Sequence, residues 1–92
     1  MSPGQQIAQC AHAIADFSIQ HQDIFSQWHS HSNYVCCLIT DDISNLLKQV
    51  TSHEINYTPV FEPDLGNKLT AIAIEPTLLA KSLTRSYKLA PG

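Results

Sequence analysis

Along the first twenty residues, Ile7, Cys10, Ala11, Ile14 and Phe17, with Ser18 beside them, recur at i, i+3, i+4 and i+7. That spacing predicts an amphipathic helix with this stripe turned inward. Ser2 ahead of Pro3 supplies an N-cap and a first-turn proline, so the helix is expected over about residues 3–21. Ile24, Phe25 and Trp28 predict a shorter second helix over residues 23–28, and the polar run His29-Ser30-His31-Ser32-Asn33 ends the pattern. Tyr34-Val35-Cys36-Cys37-Leu38-Ile39 is continuously apolar, the pattern of a strand covered on both faces in the middle of a sheet. Thr40, Asp41 and Asp42 offer cap oxygens and first-turn carboxylates to a helix with stripe Ile43, Leu46, Leu47 and Val50, ending near Thr51. Residues 55–61 are rich in strand formers but contain Pro59, which cannot donate to a ladder and so predicts an edge or a bulge. Glu62-Pro63-Asp64-Leu65-Gly66-Asn67 forms an acidic turn, and Leu69-Thr70-Ala71-Ile72-Ala73-Ile74 is a second buried-strand pattern. Residues 76–85 close as a short helix with Leu78, Leu79 and Leu83 inward.

The order α-β-α-β-β-α predicts an α/β protein, a three-layer α/β/α sandwich on a small mixed sheet. Such a pattern normally begins with a strand, because a first helix packs on a sheet through a right-handed crossover. The expectation is therefore of a sheet with one edge unpaired where that strand would add. An open edge recruits another chain, which predicts a homodimer or higher oligomer joined through the edge or through the faces of Phe17, Phe25 and Trp28.

At 92 residues, with 43% hydrophobic and 14% charged, the chain is expected to be one domain over residues 1–92, outside the composition range of disordered chains. With no apolar stretch of bilayer length and no signal-peptide pattern, the expectation is a cytoplasmic protein without a membrane partner. Cys10, Cys36 and Cys37 form no C-x-x-C pair and read as small apolar residues in a reducing compartment.

The net charge of −3 is unevenly spread: residues 1–64 carry −6 and residues 65–92 carry +3. Lys68, Lys81, Arg85 and Lys88 are thus the place for a polyanion to dock, a thin supply of phosphate contacts for a nucleic-acid binder. Gln5, Gln9, His12 and Asp16 share a polar face of the first helix, opposite Ile7 and Ile14. That face is either a solvated surface or part of a site, with His12 the best-placed general base. Glu62 and Asp64 sit in a turn able to aim a carboxylate at the helix, or merely occupy an exposed loop as carboxylates commonly do. His29, His31 and His53 are too few and too loosely placed for a metal site, so none is expected. No nucleophile elbow, Walker loop or dinucleotide fingerprint occurs.

The string Ser2-Pro3-Gly4-Gln5-Gln6-Ile7-Ala8-Gln9-Cys10-Ala11-His12-Ala13 resembles the first-helix signature of the type II (archaeal and eukaryotic type) peptidyl-tRNA hydrolases, approximately G-K-x-A-A-Q-C-x-H-A. Gly4, Ala8, Gln9, Cys10, His12 and Ala13 match it. The similarity continues through the apolar strand at residues 34–39, the acidic loop at 62–66, and Leu69-Thr70-Ala71-Ile72-Ala73-Ile74-Glu75-Pro76, which resembles the family's T-V-L-A-I-G-P segment. It covers essentially the whole chain.

The resemblance implies that family's sandwich fold and its activity, cleavage of the ester between a peptide and the 3′ end of tRNA, with no cofactor and no metal. Carried across, it makes His12 a base or positioning group, Gln9 a polar contact, Asp64 or Glu62 the loop acid, and Thr70 a hydroxyl donor. Gln5 stands where the family has lysine, so a neutral donor replaces a cation. The loop is about four residues shorter than the family's D-A-G-x-T-Q form, and the family opens with a strand before the S-P-G segment. The alternative is a catalytically inactive member of the same fold acting as a binding or assembly module.

Overall fold

A computed structural model describes residues 2–32 and 35–89. Helix α1 runs over Pro3–Gln20, and Ser2 caps it as the pattern predicts. The Ser2 hydroxyl accepts from the Gln5 amide at 3.2 Å while the Gln5 side-chain oxygen accepts from the Ser2 amide at 2.8 Å. This reciprocal pair satisfies two donors at the start of the helix. His21 leaves helical geometry at φ −132° and ψ 59°, and α2 follows directly over Gln22–His31. The second helix is longer than predicted and continues through the polar run into His31. Asp42, two residues beyond Thr40, caps α3 over Ile43–Ser52 by accepting from the Asn45 amide at 3.1 Å.

Strand β2, Tyr57–Glu62, pairs antiparallel with β3, Lys68–Ile74, around a 3-10 turn at Pro63–Leu65. Gly66 and Asn67 close this hairpin with φ of 68° and 62°, the left-handed region that glycine and asparagine tolerate best. Pro59 lies in β2, and among the described residues each strand of this two-stranded sheet has one unpaired edge, which accommodates a residue without an N–H. A register irregularity falls between Val60 and Phe61.

The hairpin separates two clusters of buried side chains. Ala13 of α1 packs with Val60 and Ala71, with Ala73 alongside. On the other face Leu46 and Val50 of α3 meet Ile55, Ala80, Ile72 and Ile74. The alternation along β3 follows from the two-residue period of a strand: 71 and 73 face α1, 72 and 74 face α3. Because the residues toward α1 are alanines, the helix backbone approaches closely.

Three expectations are corrected. The described strands form two separate antiparallel pairs, β2 with β3 and the two-residue β1 (Leu38–Ile39) with β4 (Lys88–Leu89), where one mixed sheet was expected. The apolar run at 34–39 is accordingly not a buried central strand: Val35 and Cys36 are exposed, β4 supplies only two rungs, and Tyr34 lies outside the described residues. An apolar run fixes burial only if neighbouring strands and helices arrive to cover it. The last helix, α4, spans Leu78–Leu83 because the Thr77 hydroxyl caps it, accepting from the Ala80 amide at 3.0 Å. That cap turns Ala80 inward and leaves Leu78 85% exposed and Leu79 42% exposed, while Leu83 packs on the α3 cluster.

The third correction concerns α1. Its buried face is Gln9, Ala13 and Phe17, while the predicted inward residue Ile7 is 66% exposed. At ~100° per residue the helix is rotated by about 110° from the orientation its apolar stripe predicts. Ile7, Cys10, Ala11 and Ile14 instead line a groove of about 400 Å³ with Pro3, Gln6 and Cys37. Phe17, one of the aromatic faces expected at a dimer interface, is buried within the chain.

Candidate functional site

Gln9, Ala13 and Phe17 lie at i, i+4 and i+8, so the close approach set by Ala13 on Ala71 carries Gln9, one turn earlier, over the end of the hairpin. Gln9 is 8% exposed and both ends of its amide are engaged. Its Nε2 donates to Glu62 Oε2 at 3.1 Å, and its Oε1 accepts from the Thr70 hydroxyl at 2.9 Å. Thr70 Oγ1 also lies 3.3 Å from the Val60 carbonyl, and its single proton favours the shorter contact with Gln9. A buried amide costs free energy unless paired, and these two partners satisfy it.

Glu62 ends β2 and its carboxylate faces two ways. Oε2 receives the Gln9 amide, while Oε1 receives the Asp64 backbone N–H at 3.3 Å and so caps the 3-10 turn. The Asn67 amide donates to the Glu62 carbonyl at 3.0 Å, and Gly66 to Pro63 at 3.2 Å, holding the turn beneath the carboxylate. Lys68 stands opposite Glu62 in the strand register. The part-buried centre thus combines a carboxylate, a primary amide and a hydroxyl from three different elements. Chemically, such a set can hold a water by its carboxylate and offer the second Nε2 hydrogen of Gln9 to a carbonyl oxygen.

The residues picked from sequence divide accordingly. Gln9, Glu62 and Thr70 are brought into one hydrogen-bonded chain. Asp64 contributes its backbone N–H, with its side chain exposed. Exposed His12 lies about 60° around α1 from Gln9 and one turn on, at the rim. Gln5 is also exposed, and its side chain is engaged at the helix cap. Lys81, Arg85 and Lys88 are exposed on α4, the turn after it and β4. Lys68 is at the start of β3, ~20 Å of strand away from the end that leads to α4.

Sequence reasoning missed the continuation of the polar seam. Fully buried Thr58 donates its hydroxyl to Gln20 Oε1 at 2.9 Å, and His21 Nε2 donates to the Tyr57 carbonyl at 3.1 Å. The α1–β2 interface is therefore pinned at both ends by side-chain hydrogen bonds around Ala13 and Phe17. The one sequence cue was Thr58 within an otherwise apolar strand. An open groove elsewhere is lined by Ile24, Gln27, Trp28, His31, Ser32, Glu75 and Pro76.

Among the described residues no group of three or more His, Cys, Asp or Glu is placed to hold a metal ion, and no helix is long and apolar enough to cross a membrane. Comparison with known proteins returns no match, whether to family models, to curated proteins or to solved structures.

Proposed function

We propose that this chain is a peptidyl-tRNA hydrolase-like protein that cleaves the ester joining a peptide to the 3′ end of tRNA, with the hairpin and its flanking helices as a minimal form of that family's three-layer sandwich. The observation that carries the reading is the convergence of Gln9, Glu62 and Thr70. The resemblance pointed to Gln9, Thr70 and one of the loop acids on three separate segments, and Gln9, Glu62 and Thr70 meet in one part-buried hydrogen-bonded chain. In this reading Glu62 activates the attacking water, the second Nε2 hydrogen of Gln9 donates to the tetrahedral oxyanion, and the Thr70 hydroxyl holds the Gln9 amide in place. His12 at the rim orients the ribose or the leaving oxygen. No cofactor takes part. Of the two loop acids, Glu62 is the one whose carboxylate reaches helix α1, so it fills the role left open between Glu62 and Asp64.

The tRNA body contacts the cations of α4 and β4. Three phosphate contacts, from Lys81, Arg85 and Lys88, correspond to a log–log salt slope of about −2 to −3. Lys68, beside Glu62, meets the terminal nucleotide instead. The reaction takes place in the cytoplasm, on a homodimer whose contact uses the free sheet edges or the half-buried Phe25 and Trp28. Sedimentation at micromolar concentration tests that assembly, and a monomer at every concentration overturns it.

Turnover of a short N-blocked aminoacyl-tRNA by the purified chain is the direct test. Release of the blocked amino acid above the rate without protein supports the hydrolase, and an ester left intact rejects it. The second reading, a non-catalytic binding or assembly module, draws on one observation: both Glu62 oxygens are already occupied by protein donors. Saturable tRNA binding with no ester cleavage selects it.

A further inference from the structure

Cys10 of α1 and Cys37, the residue before β1, line the same groove, and the Cys37 thiol lies close enough to act on the Cys10 thiol. Successive residues of an extended chain point to opposite sides, so Cys37 turns toward α1 and is half-buried while its neighbour Cys36 is exposed. The segment between the pair holds the rest of α1 and all of α2, which has no buried residue of its own. The Cys10–Cys37 pair thus joins segments 27 positions apart, across an α2 that has no buried residue.

We propose that Cys10 and Cys37 form a reversible thiol–disulfide exchange site for small-molecule disulfides such as oxidised glutathione, and that its oxidation clamps α1 and α2 against the strand segment. Burial, and after it the neighbouring Cys37 sulfur, push the Cys10 thiol up from its ordinary value of 9.0. The Cys37 thiolate displaces one sulfur of the small disulfide, breaking its S–S bond, forming a mixed disulfide and releasing one small thiolate, which takes up the proton lost by Cys37. Cys10 then gives up its proton and attacks the Cys37 sulfur, forming the protein S–S bond and expelling the second small thiol. Two protein thiols are oxidised and one small disulfide is reduced to two thiols, so atoms and electrons balance. The product is an S–S bond of ~2.05 Å closed across the groove. This site is independent of the hydrolase reading and uses none of its residues.

The test is incubation of the full chain with a glutathione redox buffer near pH 8, followed by acid quench and peptide mass mapping. The expected product is an intramolecular Cys10–Cys37 disulfide, at least about tenfold over Cys10–Cys36, with Cys36 found as free thiol or glutathione adduct. In 6 M guanidinium the preference disappears, because the chain no longer holds the two sulfurs together. The closed loop raises the thermal midpoint of the oxidised chain by about 10 °C, reversed by dithiothreitol. Cys36→Ser retains both the disulfide and the rise in midpoint, and Cys10→Ser loses both. A predominant Cys36–Cys37 or intermolecular disulfide, or glutathione adducts with no internal pair, overturns the proposal.

Discussion

Replacing Gln9 by glutamate changes one donor into an acceptor at a position 8% exposed, and it sets a second carboxylate against Glu62 where the amide nitrogen stood at 3.1 Å. Two unit charges at that distance repel by ~5 kcal/mol at an effective dielectric of 20 and by ~1 kcal/mol in bulk water. Glu62 is half-buried, so the repulsion falls between these limits, at about 2–3 kcal/mol near neutral pH. The Thr70 hydroxyl still finds an acceptor in the new side chain, so the penalty comes from the Glu62 side alone. For a domain of this size it corresponds to a fall in thermal midpoint of about 10–20 °C.

The pH dependence follows from linkage. In the folded variant the two carboxylates share one site, which holds one carboxyl above its ordinary range, while in the unfolded chain both titrate near ~4.3. The folded state then binds more protons than the unfolded one, so the penalty is complete at high pH and shrinks as pH falls toward 5. Thermal unfolding followed by circular dichroism at pH 7.5 and pH 5.0, for parent and Gln9→Glu, reads this directly. Gln9→Leu is the control: it removes both hydrogen bonds, leaves Glu62 free to turn to water and Thr70 with the Val60 carbonyl at 3.3 Å, and costs about 1–2 kcal/mol without that pH dependence. A Gln9→Glu midpoint within 2 °C of the parent at pH 7.5 would refute the interior contact between Gln9 and Glu62.

Other outcomes are expected at separate positions. Glu62→Gln lowers kcat on an N-blocked aminoacyl-tRNA by ~10²–10⁴, His12→Ala lowers it by ~10-fold or more, and Asp64→Asn stays within a few-fold, since Asp64 serves through its backbone N–H; steady-state kinetics on the three variants separates the roles. Gln5→Lys breaks the reciprocal cap with Ser2 and sets a cation at the positive end of α1, costing about 1 kcal/mol in urea titration, while the restored charge beside a polyanionic substrate raises kcat/KM in the turnover assay. Val50→Ala, at a position with no exposed surface in the α3 cluster, destabilises by about 2 kcal/mol in the same titration. Reversing charge at Arg85 and Lys88 weakens tRNA binding and flattens its salt slope by about 2, measured by filter binding at several ionic strengths.

Much of the local structure was legible in residue order because its causes are local. Ser2 and Pro3 open α1, Asp42 heads α3, and Gly66 with Asn67 closes the hairpin, each through bonds or dihedral limits spanning two to four residues. Pro59 announced an edge strand because a missing N–H is a property of the residue itself. The apolar run at 69–74 marked β3 as a covered strand before any partner was known.

Tertiary structure decided which faces meet. The apolar stripe of α1 argued for Ile7, Cys10 and Ile14 inward, but burial is a property of pairs of surfaces. The surface offered by the hairpin is Ala71, Ala73 and Val60, against which Ala13 fits closely and Phe17 fills the far end. That choice carried Gln9, on a face readable as either solvated surface or site, into the interior and left Cys10 on an open groove beside Cys37. It was affordable because Glu62 and Thr70, more than fifty positions away, supply an acceptor and a donor to the buried amide. No periodicity in a single segment encodes such a match, since the free energy of burying a polar group depends on partners that only the folded chain brings within hydrogen-bond distance.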